Sequence, residues 1–243
     1  MIGKLVGTVG QWVGFCNPVM LTILGVVDTI RRGELSGTNE GNKLIRNHTR
    51  ASVAIWVMLA VSASAECPTG VDEKNGVVLT RSTPFLSSLY KAAGKGLVEF
   101  RVTEKGAVSE QVVATYLHAL APYDRVSAKN TITLQYAESV WPLDDLANLK
   151  VWRSAVTVYV DGVPTIEGTA TKTFLRTEEV GVGNCHYLAW VVEDRLALGD
   201  GDGTYFLQYF APDLGLIVRS IKMGPNGAPV SGVEFDSIAS GKS

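Results

Sequence analysis

The sequence predicts a mainly β protein: a curved antiparallel sheet or half-open β-barrel with one or two short helices, behind an N-terminal export or membrane segment. Three observations carry this. Over much of 66–223, apolar residues recur at every second position, the period of a strand with one covered face. Turn signals such as Asp161-Gly162 interrupt those runs at hairpin spacing,. Neither a β-α-β rhythm nor an internal repeat occurs.

Composition narrows the class. Hydrophobic residues make up 46% and charged residues 19% of the 243, which excludes wholesale disorder and collagen-like structure,. The net charge of −2 gives no general attraction for nucleic acid, so no nucleic-acid partner is expected,. The average hides a two-part chain. Residues 1–65 hold six basic and three acidic residues, whereas 66–243 hold 16 basic and 21 acidic.

The boundary falls at a hydrophobic block. Ala51–Ala65 carries no charge, follows Lys43, Arg46 and Arg50, and ends in Ala63-Ser64-Ala65. A basic flank, a short apolar run and small residues before the scissile bond define a signal peptide over 44–65, cleaved between Ala65 and Glu66. Upstream, Leu5–Val27 is a second uncharged run, 23 residues long and enough to span a bilayer,. Residues 1–43 then have two readings: a membrane helix plus polar linker, held by Arg31 and Arg32, or an extension upstream of a true start near Leu44. The domain is expected in the periplasm or secreted, or alternatively anchored to the inner membrane with the domain outside the cytoplasm. Membrane contact is confined to the N-terminal segment.

The elements of 66–223 follow in order. Pro84–Ala93 is expected as a short helix. Gly96–Thr103 alternates Val98, Phe100 and Val102 with Leu97, Glu99 and Arg101. Gln111–Leu117 and Thr131–Tyr136 repeat the period, and leucines at 143, 146 and 149 predict a second short helix,. Trp152, Val156, Val158 and Val160 line one side of a strand that turns at Asp161-Gly162 into Val163–Leu175. Cys185–Glu193 is apolar on both sides, so cover on both faces is expected. Asp200–Gly203 is read as a turn between strands, because an EF-hand loop starting there would place Ala211 where a carboxylate is needed,. Thr204–Phe210 and Leu216–Lys222 form the last pair. Gly, Pro, Asn and Ser dominate 224–243, which is expected as a loose tail,.

Few residues suggest chemistry. Cys67 and Cys185, the two cysteines of the exported part, are expected to form a disulfide in an oxidising compartment,. His118 and His186 have no metal-ligand spacing, and His186 should point away from Cys185 on an alternating strand. No nucleophile elbow, phosphate loop or dinucleotide fingerprint occurs,. Asp144-Asp145 and Glu178-Glu179 are read as solvated charges. No catalytic, cofactor-binding or metal-binding residue is assigned, and no cofactor is expected. Aromatic residues concentrate late in the domain, and Trp190, Tyr205 and Tyr209 are the candidates to line a groove for a hydrophobic ligand,.

Gly183-Asn184-Cys185-His186-Tyr187, Trp190 and the stretch from Tyr209-Phe210 through Ala211-Pro212-Asp213-Leu214-Gly215-Leu216 resemble elements of small exported bacterial proteins of the TapB-like family and of half-open-barrel lipoprotein carriers. The resemblance covers about the C-terminal quarter of the chain. It implies a curved antiparallel sheet wrapped on short helices and supplies no catalytic residues. The expected function is non-enzymatic binding of a hydrophobic or lipid-like small molecule in the cell envelope. The alternative is an envelope interaction or assembly module, with an envelope protein as partner, acting through a sheet edge.

Overall fold

A computed structural model describes residues 66–199 and 203–241. Thirteen strands follow one another in the order β1 Val77–Arg81, β2 Leu86–Ala93, β3 Gly96–Lys105, β4 Val108–His118, β5 Ala121–Val126, β6 Thr131–Tyr136, β7 Val151–Val160, β8 Val163–Val182, β9 Cys185–Leu198, β10 Thr204–Ala211, β11 Leu216–Met223, β12 Pro229–Glu234 and β13 Ser237–Ser240. A 3-10 turn, Trp141–Asp145, leads into a one-turn helix α1, Leu146–Leu149, between β6 and β7. The strands form one antiparallel sheet in the order β12-β11-β10-β9-β8-β7-β6-β5-β4-β3-β2-β1-β13. The mainly β antiparallel class read from the sequence is therefore the class observed.

Hairpins with short connections build this meander. At the β7–β8 turn, Asp161 has φ 51° and Gly162 φ 78°, the paired positive values of a turn that matches strand twist. Gly76 sits against β2, where an added Cβ would lie 2.1 Å from the Tyr90 carbonyl oxygen. Only glycine allows the backbone that close.

Two expected elements need correction. Pro84–Ala93 is not a helix: Leu86–Ala93 is strand β2, paired on both sides with β1 and β3. Its inward residues Leu86 and Ser88 are buried at period two. Pairing with both neighbours satisfies its backbone, which the local helix-like spacing could not anticipate. The segment after Met223, expected to be loose, contains β12 and β13. Their side chains are mostly exposed, so hydropathy gave no sign of strands held by ladder hydrogen bonds rather than burial. The leucines of the expected second helix do fall in the 3-10 turn and α1, with Leu143 and Leu146 fully buried.

The last two strands also shape the sheet. β12 pairs with β11 and β13 with β1, at opposite ends of the strand order, yet only Phe235 and Asp236 separate them. From Glu234 to Ser237 the chain can reach about 11 Å, so the two ends of the sheet meet there. The Asp236 amide donates to the Thr80 carbonyl at 2.9 Å, and the Asp236 carboxylate accepts from the Ser82 amide at 2.8 Å. Arg81 adds a bond from Nη1 to the Gly232 carbonyl at 3.2 Å.

Three apolar cores result. Val77, Leu79, Val182, Tyr187, Val191, Tyr209 and Leu216 belong to the first. Leu120, Leu143, Leu146, Trp152, Val192 and Phe210 belong to the second. Leu134, Val156, Val158 and Leu198 form the third. β9 serves more than one of them by changing its covered face midway. Cys185, Tyr187, Ala189 and Val191 are buried while His186 and Leu188 are exposed; beyond Val191, Val192 and Leu198 are buried while Arg195 and Ala197 are exposed. The cover on both faces expected for Cys185–Glu193 is therefore not found: Leu188 is 62% exposed, and only one face at a time is covered.

Candidate functional site

The most concentrated polar chemistry lies on the covered face of β2–β4. Strand alternation places Ser88 and Tyr90 on β2, Glu99 and Arg101 on β3 and Tyr116 on β4 on one side of the sheet,. Glu99 is 0% exposed, whereas its neighbour Phe100 is 45% exposed. The strand has turned its carboxylate inward and its phenyl ring out.

Five donors meet that carboxylate. Oε1 accepts from Ser88 Oγ at 2.7 Å, Tyr90 OH at 3.1 Å and Arg101 Nε at 2.8 Å. Oε2 accepts from Arg101 Nη2 at 2.9 Å and Tyr116 OH at 2.5 Å. Burial pushes the Glu99 carboxyl upward, but the Arg101 guanidinium and the hydroxyl donors outweigh it and hold the group below its usual range,. Burial and the Glu99 charge both raise the Tyr90 and Tyr116 phenols, which therefore stay protonated donors. A carboxylate has about four lone-pair sites, so this one has no acceptor capacity left for a substrate proton. The arrangement holds an anion in place.

A second polar group lies in the Leu120–Phe210 core. The ammonium of Lys172, nearly buried, pairs with Asp194 on the neighbouring strand. His118, 8% exposed, accepts the Leu120 amide at Nδ1 over 3.1 Å and has Nε2 3.3 Å from Asp144 Oδ1. Its ring lies 5.1 Å from that of Phe210. Among the described residues, no serine, threonine or cysteine hydrogen-bonds to a histidine, and no three His, Cys, Asp or Glu side chains are grouped to hold a metal ion.

The residues singled out from the sequence are placed as follows. Cys67 and Cys185 are joined, with an S–S distance of 2.01 Å and Cα atoms 5.7 Å apart. The Tyr187 hydroxyl donates to the Pro68 carbonyl at 3.0 Å beside the bridge. Glu66 is the first described residue; Ala65, the 1–65 segment, and the Asp200, Gly201 and Asp202 positions of the expected turn lie outside the described residues. His186 points out and pairs with Glu179 at 3.0 Å, away from buried Cys185. Asp144 is exposed but faces His118, so it is not simply a solvated charge.

Trp190, Tyr205 and Tyr209 do not converge on one groove. Trp190 opposes Phe210 across the β9–β10 ladder and meets Phe174 and Phe210 edge-on, with centroids 6.0 and 5.7 Å away. Tyr205 and Tyr209 are odd-numbered neighbours on the opposite face of β10. Tyr205 donates to Glu193 and lies under Arg195, and Tyr209 is buried beneath Arg219. Aromatic density was legible in the sequence; strand parity separates the rings. Two cavities border the domain surface, of about 160 and 470 Å³. Glu179, Arg219, Glu234 and Phe235 are among the residues lining the smaller, and 66–72 with Gly76 and Ser240 line the larger. None of the three candidate aromatics lines either one.

The outer face of the same strands carries the feature that sequence reading missed. Val78, Leu89, Phe100, Val113 and Val126 occupy one cross-strand row over β1–β5. Phe100, Val113 and Val126 are 45%, 39% and 47% exposed. The available signal was the inverted order of β3, in which the charged residues Glu99 and Arg101 alternate with Val98, Phe100 and Val102. Which set faced inward could be known only from what Tyr90 and Tyr116 bring opposite.

No family model matches the chain, the TapB-like resemblance included, and no curated protein matches it. Among solved structures, a protein of Bacteroides fragilis NCTC 9343 with a YmcC-like fold is similar at 15% identity. The match covers 71% of this chain and 99% of that one with a TM-score of 0.35. A score that low fixes neither fold nor function.

Proposed function

We propose that this chain is an exported, non-enzymatic domain that binds an apolar partner in the cell envelope through the outer face of its sheet. The carrying observation is the continuous row from Val78 through Leu89, Phe100 and Val113 to Val126, with three members more than a third exposed. Adjacent strands lie about 4.8 Å apart, so five residues make a stripe roughly 19 Å long. Contiguous exposed apolar surface marks contact sites more often than scattered residues do. Export is supported by the uncharged Ala51–Ala65 run with its basic flank and small-residue end, and by the Cys67–Cys185 disulfide,. The Glu99 carboxylate, saturated with donors, is not free to act as a general base.

This reading relocates the expected contact. A ligand held between Trp190, Tyr205 and Tyr209 lacks a common cavity, and the sheet edges are the short strands β12 and β13. The test is native mass spectrometry of the protein purified from its own envelope, before and after Phe100→Ser with Val113→Thr. Both positions are more than a third exposed, so the melting temperature should change by no more than about 2 °C per substitution. The expected result is a co-purifying lipid or protein lost from the variant. Undiminished capture by the folded variant, or no bound species on the unaltered protein, would overturn the proposal.

A further inference from the structure

We propose that His118 is an acid-sensitive latch joining the β4–β5 turn to the helical connection before β7. The imidazole touches both. Its Nδ1 accepts the Leu120 amide from the turn, and its Nε2 faces Asp144 in the 3-10 segment. An Nδ1 that accepts carries no hydrogen, so the neutral ring holds its proton on Nε2 and donates toward Asp144.

That tautomer makes the contact conditional on pH. A proton taken from solvent can add only at Nδ1, after which both ring nitrogens are donors. The Leu120 N–H would then face another N–H at 3.1 Å, in a place where Leu120 is 1% and Ala121 0% exposed. A buried donor without an acceptor costs about 1–3 kcal/mol, so the turn must shift to keep the proton. Leu120, Leu143 and Leu146 share one core, and the shift therefore loosens the helical connection too.

The groups around the ring set the direction. Asp144 on the 3-10 segment favours the imidazolium. Burial disfavours it, as does the Lys172 ammonium on β8, itself paired with Asp194 on β9; Phe210 on β10 adds an apolar wall. Burial outweighs Asp144, and the imidazole lies below its ordinary 6.5. A group depressed on folding contributes stability above its unfolded value, and that contribution is lost as pH falls through the folded value. The latch is closed near neutral pH and opens in acid. This inference does not depend on the outer-face reading.

Amide hydrogen exchange, corrected for intrinsic pH dependence, tests it. Protection at Leu120 and Leu146 should fall roughly tenfold or more between about pH 7.5 and pH 5. His118→Asn keeps an acceptor near the Nδ1 position without a titrating ring, and should hold protection constant over the same range. Asp144→Asn, at an exposed position, should move the opening to lower pH because it removes the charge that favours the imidazolium. Ring ¹⁵N shifts of the unaltered protein should show the Nε2-protonated tautomer at neutral pH. Constant Leu120 protection in the unaltered protein, an unchanged midpoint in Asp144→Asn, or an Nδ1-protonated ring would each overturn the latch.

Discussion

Glu99→Ala is expected to lower the melting temperature of the oxidised domain by roughly 6–12 °C, from a loss of about 3 kcal/mol in a domain of this size. The substitution removes the shared acceptor of Ser88, Tyr90, Arg101 and Tyr116 at once. Breaking one side of a buried pair leaves the other uncompensated, at up to about 5 kcal/mol. The lower figure applies because the Arg101 side chain is 36% exposed and water can partly replace its partner,. Thermal melts of the purified variant check the size. A change below about 2 °C would mean that the phenols and guanidinium find other partners.

Acid should act on the same group. Folding depresses the Glu99 carboxyl, so its contribution is present above the unfolded value, 4.5, and is lost as pH falls through the lower folded value,. The His118 contribution disappears first on acidification, starting near 6.5, and that of Glu99 later. Stability followed from pH 8 to about pH 3 should therefore decline in two stages, the first absent in His118→Asn.

Opening the Cys67–Cys185 bridge is the second large effect. The bridge closes 118 residues, for which chain-entropy arguments give about 5 kcal/mol and measured losses run about 2–5. Because Cys67 lies ten residues before β1 and Cys185 begins β9, reduction frees the start of the domain from the first core. Val71 and the Tyr187–Pro68 hydrogen bond should loosen with it. The prediction is a melting temperature roughly 4–20 °C lower for Cys67→Ser with Cys185→Ser than for the oxidised protein. Intact mass with and without reductant, a difference of two hydrogens, establishes the starting state. A fully oxidised protein whose paired variant melts at the same temperature would refute the stabilising role.

Much of the sheet was legible because its strands obey their period. Thr131–Tyr136 and the Val151–Val160 hairpin through Asp161-Gly162 need only alternation and a turn with positive φ. β2 was not legible, since Leu86, Leu89 and Tyr90 are also compatible with a helix, and only β1 and β3 on either side decide the matter. β12 and β13 bury almost nothing, so hydropathy does not mark them. The disulfide needed only two cysteines and a compartment. The Glu99 cluster was hidden because its five members come from three strands, and their meeting depends on register. Trp190 and Tyr209 look alike in composition but differ in parity, which is why the expected groove dissolves.

The crossover at Phe235-Asp236 lets one short carboxy-terminal segment cover the open ladders of both β11 and β1. Proteolysis between Met223 and Pro229 would detach both following strands together and bare the ladder groups of β11 and of β1 in one event. Such uncovered backbone templates intermolecular pairing. Affinity tags and fusions are therefore better tolerated when a spacer follows Ser243 than when the last twenty residues are trimmed away.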